Sequence, residues 1–186
     1  MIQSAYSLTL TNEFDSNELS KNSWLVILHA SRTPPHIGLM IDGNYNSLTI
    51  KGHELNVNLT VLLKTIQQKK IESIFIQLKK HPVFSNDYQR EISQFYIQQF
   101  KQVKVNEATC LSPIKLFLQE FYAIIENKDE LLFELIERLK QNQYIYKTIG
   151  LNINPHSDDD QFYLPIYTIK QLQEVIKFER SNFYKD

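Results

Sequence analysis

The chain of 186 residues is long enough for one domain with a sizeable core, and its 42% apolar and 22% charged residues are typical of a folded globular protein. Its formal net charge of −1 argues against the basic surface with which proteins bind nucleic acid. The single cysteine excludes an internal disulfide bond and any metal site that needs several cysteines.

The first ten residues lack the basic start and the apolar core of a secretory signal peptide. No apolar run approaches the ~18 residues that a membrane span requires. We therefore expect a cytoplasmic protein without an integral membrane segment. Glycine is scarce, with four residues, and no Walker A or GxGxxG pattern occurs, so we expect no phosphate-binding loop and no cofactor.

The elements predicted along the chain begin with strands and continue mainly with helices. Strands are predicted at residues 24–29, 36–42, 45–51 and 71–79, with a late strand at 162–167. Helices are predicted at residues 59–68, 87–100, 113–125 and 129–141, with a closing helix after Thr168. This order predicts an α+β fold in which a small antiparallel sheet packs against helices. No linker divides residues 1–186, so we expect a single domain.

A hairpin is predicted between the second and third strands, because the Asp42-Gly43-Asn44 segment favours a tight turn. A two-residue Gly43-Asn44 loop would place His36 opposite Lys51. His53 would then lie on the same face as a diagonal neighbour of His36, about 7–8 Å away. This geometry predicts a pair of histidines in contact.

The length of the turn decides which polar residue accompanies His36. A three-residue loop would bring Glu54 to that face in place of His53. We favour His53 because Leu48 and Ile50 mark the other face of the strand as core.

Cys110 precedes a markedly apolar helix, and its position relative to the helix start is open. If Ser112 is the N-cap, Pro113 occupies the favoured first position and Cys110 lies just outside the helix. If Thr109 or Cys110 is the cap, the thiol lies in the first turn. In either case the positive end of the helix is close, and such positions lower a thiol pKa from about 8.5 toward ~3.5–7.5. Backbone N–H groups there could also stabilise an oxyanion.

The order of these residues resembles that of the circularly permuted papain-like superfamily, which includes permuted NlpC-type enzymes and relatives of lecithin–retinol acyltransferase. A strand opens with His36-Ile-Gly-Leu, a second polar residue (His53 or Glu54) follows the next strand, and a helix, a strand and a helix precede Cys110 at a helix start. The resemblance covers residues 24–122. It implies that Cys110 is the nucleophile, His36 the general base and His53 or Glu54 the orienting residue.

By the same resemblance, residues 24–125 would form a papain-like core and residues 126–186 a C-terminal helical extension with a late strand. The implied activity is that of a cysteine-dependent hydrolase or acyltransferase acting on an amide or ester through a thioacyl intermediate. The substrate would be a small molecule, a peptide or a lipid acyl group, and no cofactor is implied.

Two other interpretations fit the same residues. The chain could be a non-catalytic binding domain with this fold, in which Cys110 is a small buried hydrophobic residue. A zinc site formed by His29, His36, His53 and Cys110 is less favoured, because no HxH, HExxH or CxxC spacing supports it.

Overall fold

The computed structural model describes residues 5–11, 14–124, 127, 129–153 and 160–183, and it confirms the α+β class. In chain order the elements are β1 (Ala5–Thr9), α1 (Ser16–Leu19), β2 (Ser23–Leu28), β3 (His36–Ile41), β4 (Asn44–Thr49), β5 (Gly52–Asn58), α2 (Leu59–Gln68), β6 (Ser73–Leu78), α3 (Asn86–Gln98), α4 (Ser112–Tyr122), α5 (Leu132–Gln141), β7 (Ile145–Leu151), β8 (Gln161–Pro165) and α6 (Ile169–Phe183). No helix within these residues is long and apolar enough to cross a membrane.

A six-stranded antiparallel sheet in the order β5-β4-β3-β2-β6-β7 forms the centre of the molecule. Every residue of β2 and β6 is buried, which explains why these strands have nearly continuous apolar sequences rather than an alternating pattern. A second sheet of two strands pairs β1 with β8.

The two faces of the sheet pack against different helices. On one face, β3 contributes Ile37, Leu39 and Ile41 to a hydrophobic cluster that includes the apolar side of α4. On the other face, Met40 packs in a cluster with Trp24 and with residues of α2. Because successive side chains of a strand point to opposite faces, this division fixes the face on which each functional residue of β3 lies.

The β3–β4 hairpin differs from the predicted register. Asp42 and Gly43 form the loop with φ of 47° and 71°, and Ile41 pairs with Asn44. Tight two-residue hairpin turns require positive φ at both central residues, and an Asp-Gly pair meets that requirement. The predicted Gly43-Asn44 loop is therefore one residue too late. His36 does not pair with Lys51, which lies beyond the end of β4.

Three strands were not predicted, and each changes the surroundings of the site. β5 follows β4 through a second turn and forms one edge of the main sheet. β7 forms the opposite edge, so residues 126–186 contribute to the main sheet as well as supplying helices and the late strand. β1 provides the partner of β8.

Asn58 caps α2, as predicted. Its side-chain oxygen accepts a hydrogen bond from the Thr60 N–H at 2.9 Å, which satisfies one of the free donors of the first turn. We expect Asn58→Ala to lower the free energy of unfolding by about 1 kcal/mol, measured by urea denaturation. Asn58→Asp keeps the acceptor and should change it by only a few tenths of a kcal/mol. An equal loss in both variants would contradict the capping role.

Candidate functional site

Cys110 lies in the turn that leads into α4. The Thr109 N–H donates to Ser112 Oγ at 2.9 Å, and the Leu111 N–H donates to Thr109 Oγ1 at 3.2 Å. The helix begins at Ser112 with Leu111 as its N-cap and Pro113 in its first turn. Cys110 therefore lies just outside the helix, as the first alternative placed it, although the cap is one residue earlier than Ser112.

Cys110 is half-buried, and backbone groups surround its sulfur. Burial raises the pKa of the thiol above its ordinary value, and the charge of Glu179 acts in the same direction. Hydrogen bonds from the backbone at Ile37, Cys110 and Leu111 oppose this rise in the thiol pKa. Burial dominates, so the shift is opposite to the lowered pKa expected from the helix start.

Cys110 forms part of the wall of a cleft of about 570 Å³, a volume within the range of small-molecule sites. On one side lie Pro35, which precedes β3, and Ile37 within that strand. On the other side lie Tyr167 and the apolar residues of α6, such as Leu172. A group bound in this cleft would be in reach of the thiol.

His36 is the first residue of β3, and its ring occupies the opposite side of that strand from the cleft. His36 alternates with Ile37 along the strand and shares its face with Gly38 and Met40. That face is covered by α2, whereas Ile37 lines the cleft. Its Nε2 atom is buried without a hydrogen-bond partner. Burial lowers the pKa of His36, the nearby His29 lowers it further, and the Glu54 carboxylate opposes both.

The Cys110 sulfur therefore lies near the backbone of β3 beside His36, and the His36 ring lies on the other face of the strand. The backbone of Ile37, the residue that follows His36, acts to lower the pKa of the Cys110 thiol. Among the described residues no hydrogen bond joins the sulfur to the imidazole ring. Catalytic hydrogen bonds are often long in structures without substrate and shorten when substrate binds.

The two candidates for the third residue have different surroundings on β5. His53 lies on β5 opposite Leu48, and its exposed ring donates from Nε2 to the Phe100 carbonyl oxygen at 2.5 Å. The predicted diagonal contact between His53 and His36 is wrong, because β4 separates β5 from β3.

Glu54, the alternative to His53, acts on His36. It pairs with Ser47, whose hydroxyl donates to Glu54 Oε2 at 2.8 Å, and the Glu54 charge raises the pKa of His36. The error in the prediction came from counting His53 and Glu54 as a continuation of β4, when the chain reverses at residues 50–51 into a separate strand.

Tyr45 belongs to the site and was missed. Its buried ring lies across Gly38 in the adjacent strand, on the face of β3 that carries His36. Burial raises the pKa of the hydroxyl, Ser47 opposes the rise, and Glu54 and Cys110 add to it. The sequence offered one signal for this packing: Gly38 in a strand, with the aromatic Tyr45 just after the turn.

No group of three or more histidine, cysteine, aspartate or glutamate side chains that could hold a metal ion occurs in the part of the chain that the structure describes. Comparisons with protein-family models, curated proteins and solved structures find no match to this chain.

Proposed function

We propose that the chain is a cysteine-dependent hydrolase or acyltransferase that acts on an amide or an ester, with Cys110 as the nucleophile. One observation carries the proposal: the thiol lies on the wall of the cleft, just before the start of α4. N–H groups in this arrangement stabilise a thiolate, and those at a helix start can also stabilise the oxyanion of a tetrahedral intermediate.

His36 is the proposed general base. Its lowered pKa keeps the ring neutral near pH 7, so the ring can accept a proton. The pairing of β3 with β4 starts only at Leu39 and Asn46, so β4 does not pair with β3 beside His36. The ring lies on the α2 face, so proton transfer to His36 requires the backbone at this first residue of β3 to turn toward the cleft, which opens its pairing with Leu28 of β2.

The reaction proceeds in two stages. The Cys110 thiol transfers its proton to His36, the thiolate forms a C–S bond to the substrate carbonyl carbon, and the leaving group departs with the proton from the imidazolium. Water or an acceptor hydroxyl then attacks the thioester, gives a proton to His36, and releases the acyl group, and the thiol recovers its proton. Glu54 stabilises the imidazolium through its charge. The acyl group belongs to a small molecule, a peptide or a lipid, and the expected cytoplasmic location is part of this proposal.

A second candidate function is a binding domain that uses the same cleft without a covalent step. Two observations favour it: burial raises the pKa of the Cys110 thiol, and the sulfur is not hydrogen-bonded to His36 in the described structure. In this case the cleft would hold its ligand without a covalent bond, and His36 would be a structural residue.

The pH dependence of iodoacetamide alkylation distinguishes the two functions. Cys110 is the single cysteine, so the reaction reports one thiol. For an enzyme we expect a midpoint below the ~8.5 of a free thiol, and a rise of at least about one pH unit in His36→Ala. The midpoint is the readout, because restricted access to the thiol scales the rates at all pH values alike. A midpoint at or above ~8.5 that is indifferent to His36 would overturn the catalytic proposal in favour of the binding domain.

The same profile tests the third residue. Glu54→Gln should lower the pKa of the imidazolium and so weaken the ion pair, raising the thiol midpoint by a few tenths of a pH unit. His53→Gln is the matched control, one position away on the same strand and directed at Phe100. A larger effect of His53→Gln than of Glu54→Gln would restore His53 as the orienting residue.

A further inference from the structure

α6 covers the cleft beside the thiol. Leu172 and Ile176 face the interior and pack with Cys110 around a small hydrophobic cluster. The buried members of that cluster are Leu48, Ile97, Val103, Ala108 and Ile176. Ile169 and Gln173 extend the same wall of the cleft. A substrate that reaches the sulfur from this side must displace part of the helix.

α6 is held to the rest of the molecule by a narrow contact. Among its side chains at residues 169–182, Ile176 alone is buried, with 5% of its surface exposed. Phe178 on the outer side is 67% exposed. Hydrogen bonds join the helix to the loop before α4: Gln173 Nε2 donates to Asn106 Oδ1 at 3.1 Å, and Arg180 Nη1 donates to the Val103 carbonyl oxygen at 2.8 Å. The Arg180 guanidinium also donates to the side-chain oxygen of Gln102, at 2.7 Å from Nη1 and 2.8 Å from Nη2.

The start of α6 is fixed much more firmly. Tyr167 is buried, and its ring makes an edge contact with Phe133 at a centroid distance of 5.9 Å. Thr168 and Gln171 cap the first turn reciprocally: the Thr168 N–H donates to Gln171 Oε1, and the Gln171 N–H donates to Thr168 Oγ1. A pre-formed helix with an anchored start and a lightly packed body can move as a unit about that start.

We propose that α6 is a lid that closes over Cys110 and pivots near residues 167–168 to admit the substrate. The proposal rests on the function proposed above, since a lid matters only if the thiol acts on a ligand. Opening separates Ile176 and Leu172 from the cluster and breaks the contacts of Gln173 and Arg180. It leaves the main sheet intact, because the strands of that sheet pair without α6. Local openings of this kind need less free energy than global unfolding.

The test uses the full chain and the rate of iodoacetamide alkylation at one pH. Ile176→Ala removes the one side chain at residues 169–182 that is buried, and it should raise the rate at least about tenfold. Phe178→Ala is the matched control, since it truncates an apolar side chain on the outer face of the same helix, and should change the rate less than about twofold. Gln173→Ala leaves the core unchanged and should raise the rate about threefold.

Urea distinguishes a lid from global unfolding. Opening of a lid exposes little surface, so the wild-type alkylation rate should stay nearly flat at urea concentrations below the unfolding transition. A steep rise of the rate with urea, or equal rates in Ile176→Ala and Phe178→Ala, would overturn the lid. Iodoacetamide reports access to the thiol whether or not Cys110 is catalytic. Failure of the lid therefore appears in the rates, and failure of the proposed function in the pH midpoint.

Discussion

Gly38→Ala should destabilise the fold by about 2–3 kcal/mol. A Cβ atom at this position would lie 2.6 Å from Cζ of Tyr45 and 2.7 Å from its hydroxyl oxygen. The Tyr45 ring is buried, with 1% of its surface exposed, so it has no free space into which it can retreat. Overpacking of a closed core typically costs 1–3 kcal/mol. The measurement is the free energy of unfolding from urea denaturation.

Two further variants separate the clash from the general effect of adding a methyl group to a strand. Gly150→Ala is the control, because its Cβ would meet Leu10 Cδ1 at 2.8 Å, the end of a flexible side chain that can rotate away. Gly150→Ala should lower the free energy of unfolding clearly less than Gly38→Ala does. In a Tyr45→Ala background the ring is absent, so the added cost of Gly38→Ala should largely disappear. Additive losses in the double variant would show that Tyr45 is not what restricts residue 38.

The short-range signals in the sequence located most of the elements. The helix predicted at residues 59–68 is α2, because its cap and apolar stripe are contained in the segment itself. The buried strands β2, β3 and β6 were found from their apolar runs. The strands that were missed carry weaker signals: β5 has no buried residue, and β7 has only two. Their pairing depends on neighbours that are distant in the sequence or across a turn.

The site was harder to predict than the fold because it depends on register. Asp42-Gly43 and Gly43-Asn44 are both good turn pairs, and the choice between them moves every opposing residue along the strand. The placement of Cys110 just before a helix was predictable from Ser112 and Pro113. The element that covers it was not predictable, because the covering residues come from α6, more than fifty positions later in the chain.

The folded state should lose stability as the pH falls below about 6.5, and His36 should contribute to this loss. Burial lowers the pKa of His36 in the folded chain, whereas the unfolded chain has the ordinary value near 6.5. Between the two pKa values the unfolded state binds more protons, so stability is present above pH 6.5 and is lost as the pH falls toward the folded-state pKa. The slope is at most ~1.4 kcal/mol per pH unit for each such group. Urea denaturation between pH 7.5 and 5 measures it.

Substitutions of single histidines show which side chain causes the pH dependence of the free energy of unfolding. His29 also has a pKa lowered by burial, by Arg32 and by Lys69, so wild type should show both contributions and His36→Gln should retain only that of His29. A loss of the His36 contribution in this variant would confirm that the buried ring carries it. An unaltered slope in His36→Gln would mean that the ring is not held neutral in the folded chain. That result would also argue against His36 as the general base. Burial is what keeps its ring neutral near pH 7, and only a neutral ring can accept the Cys110 proton.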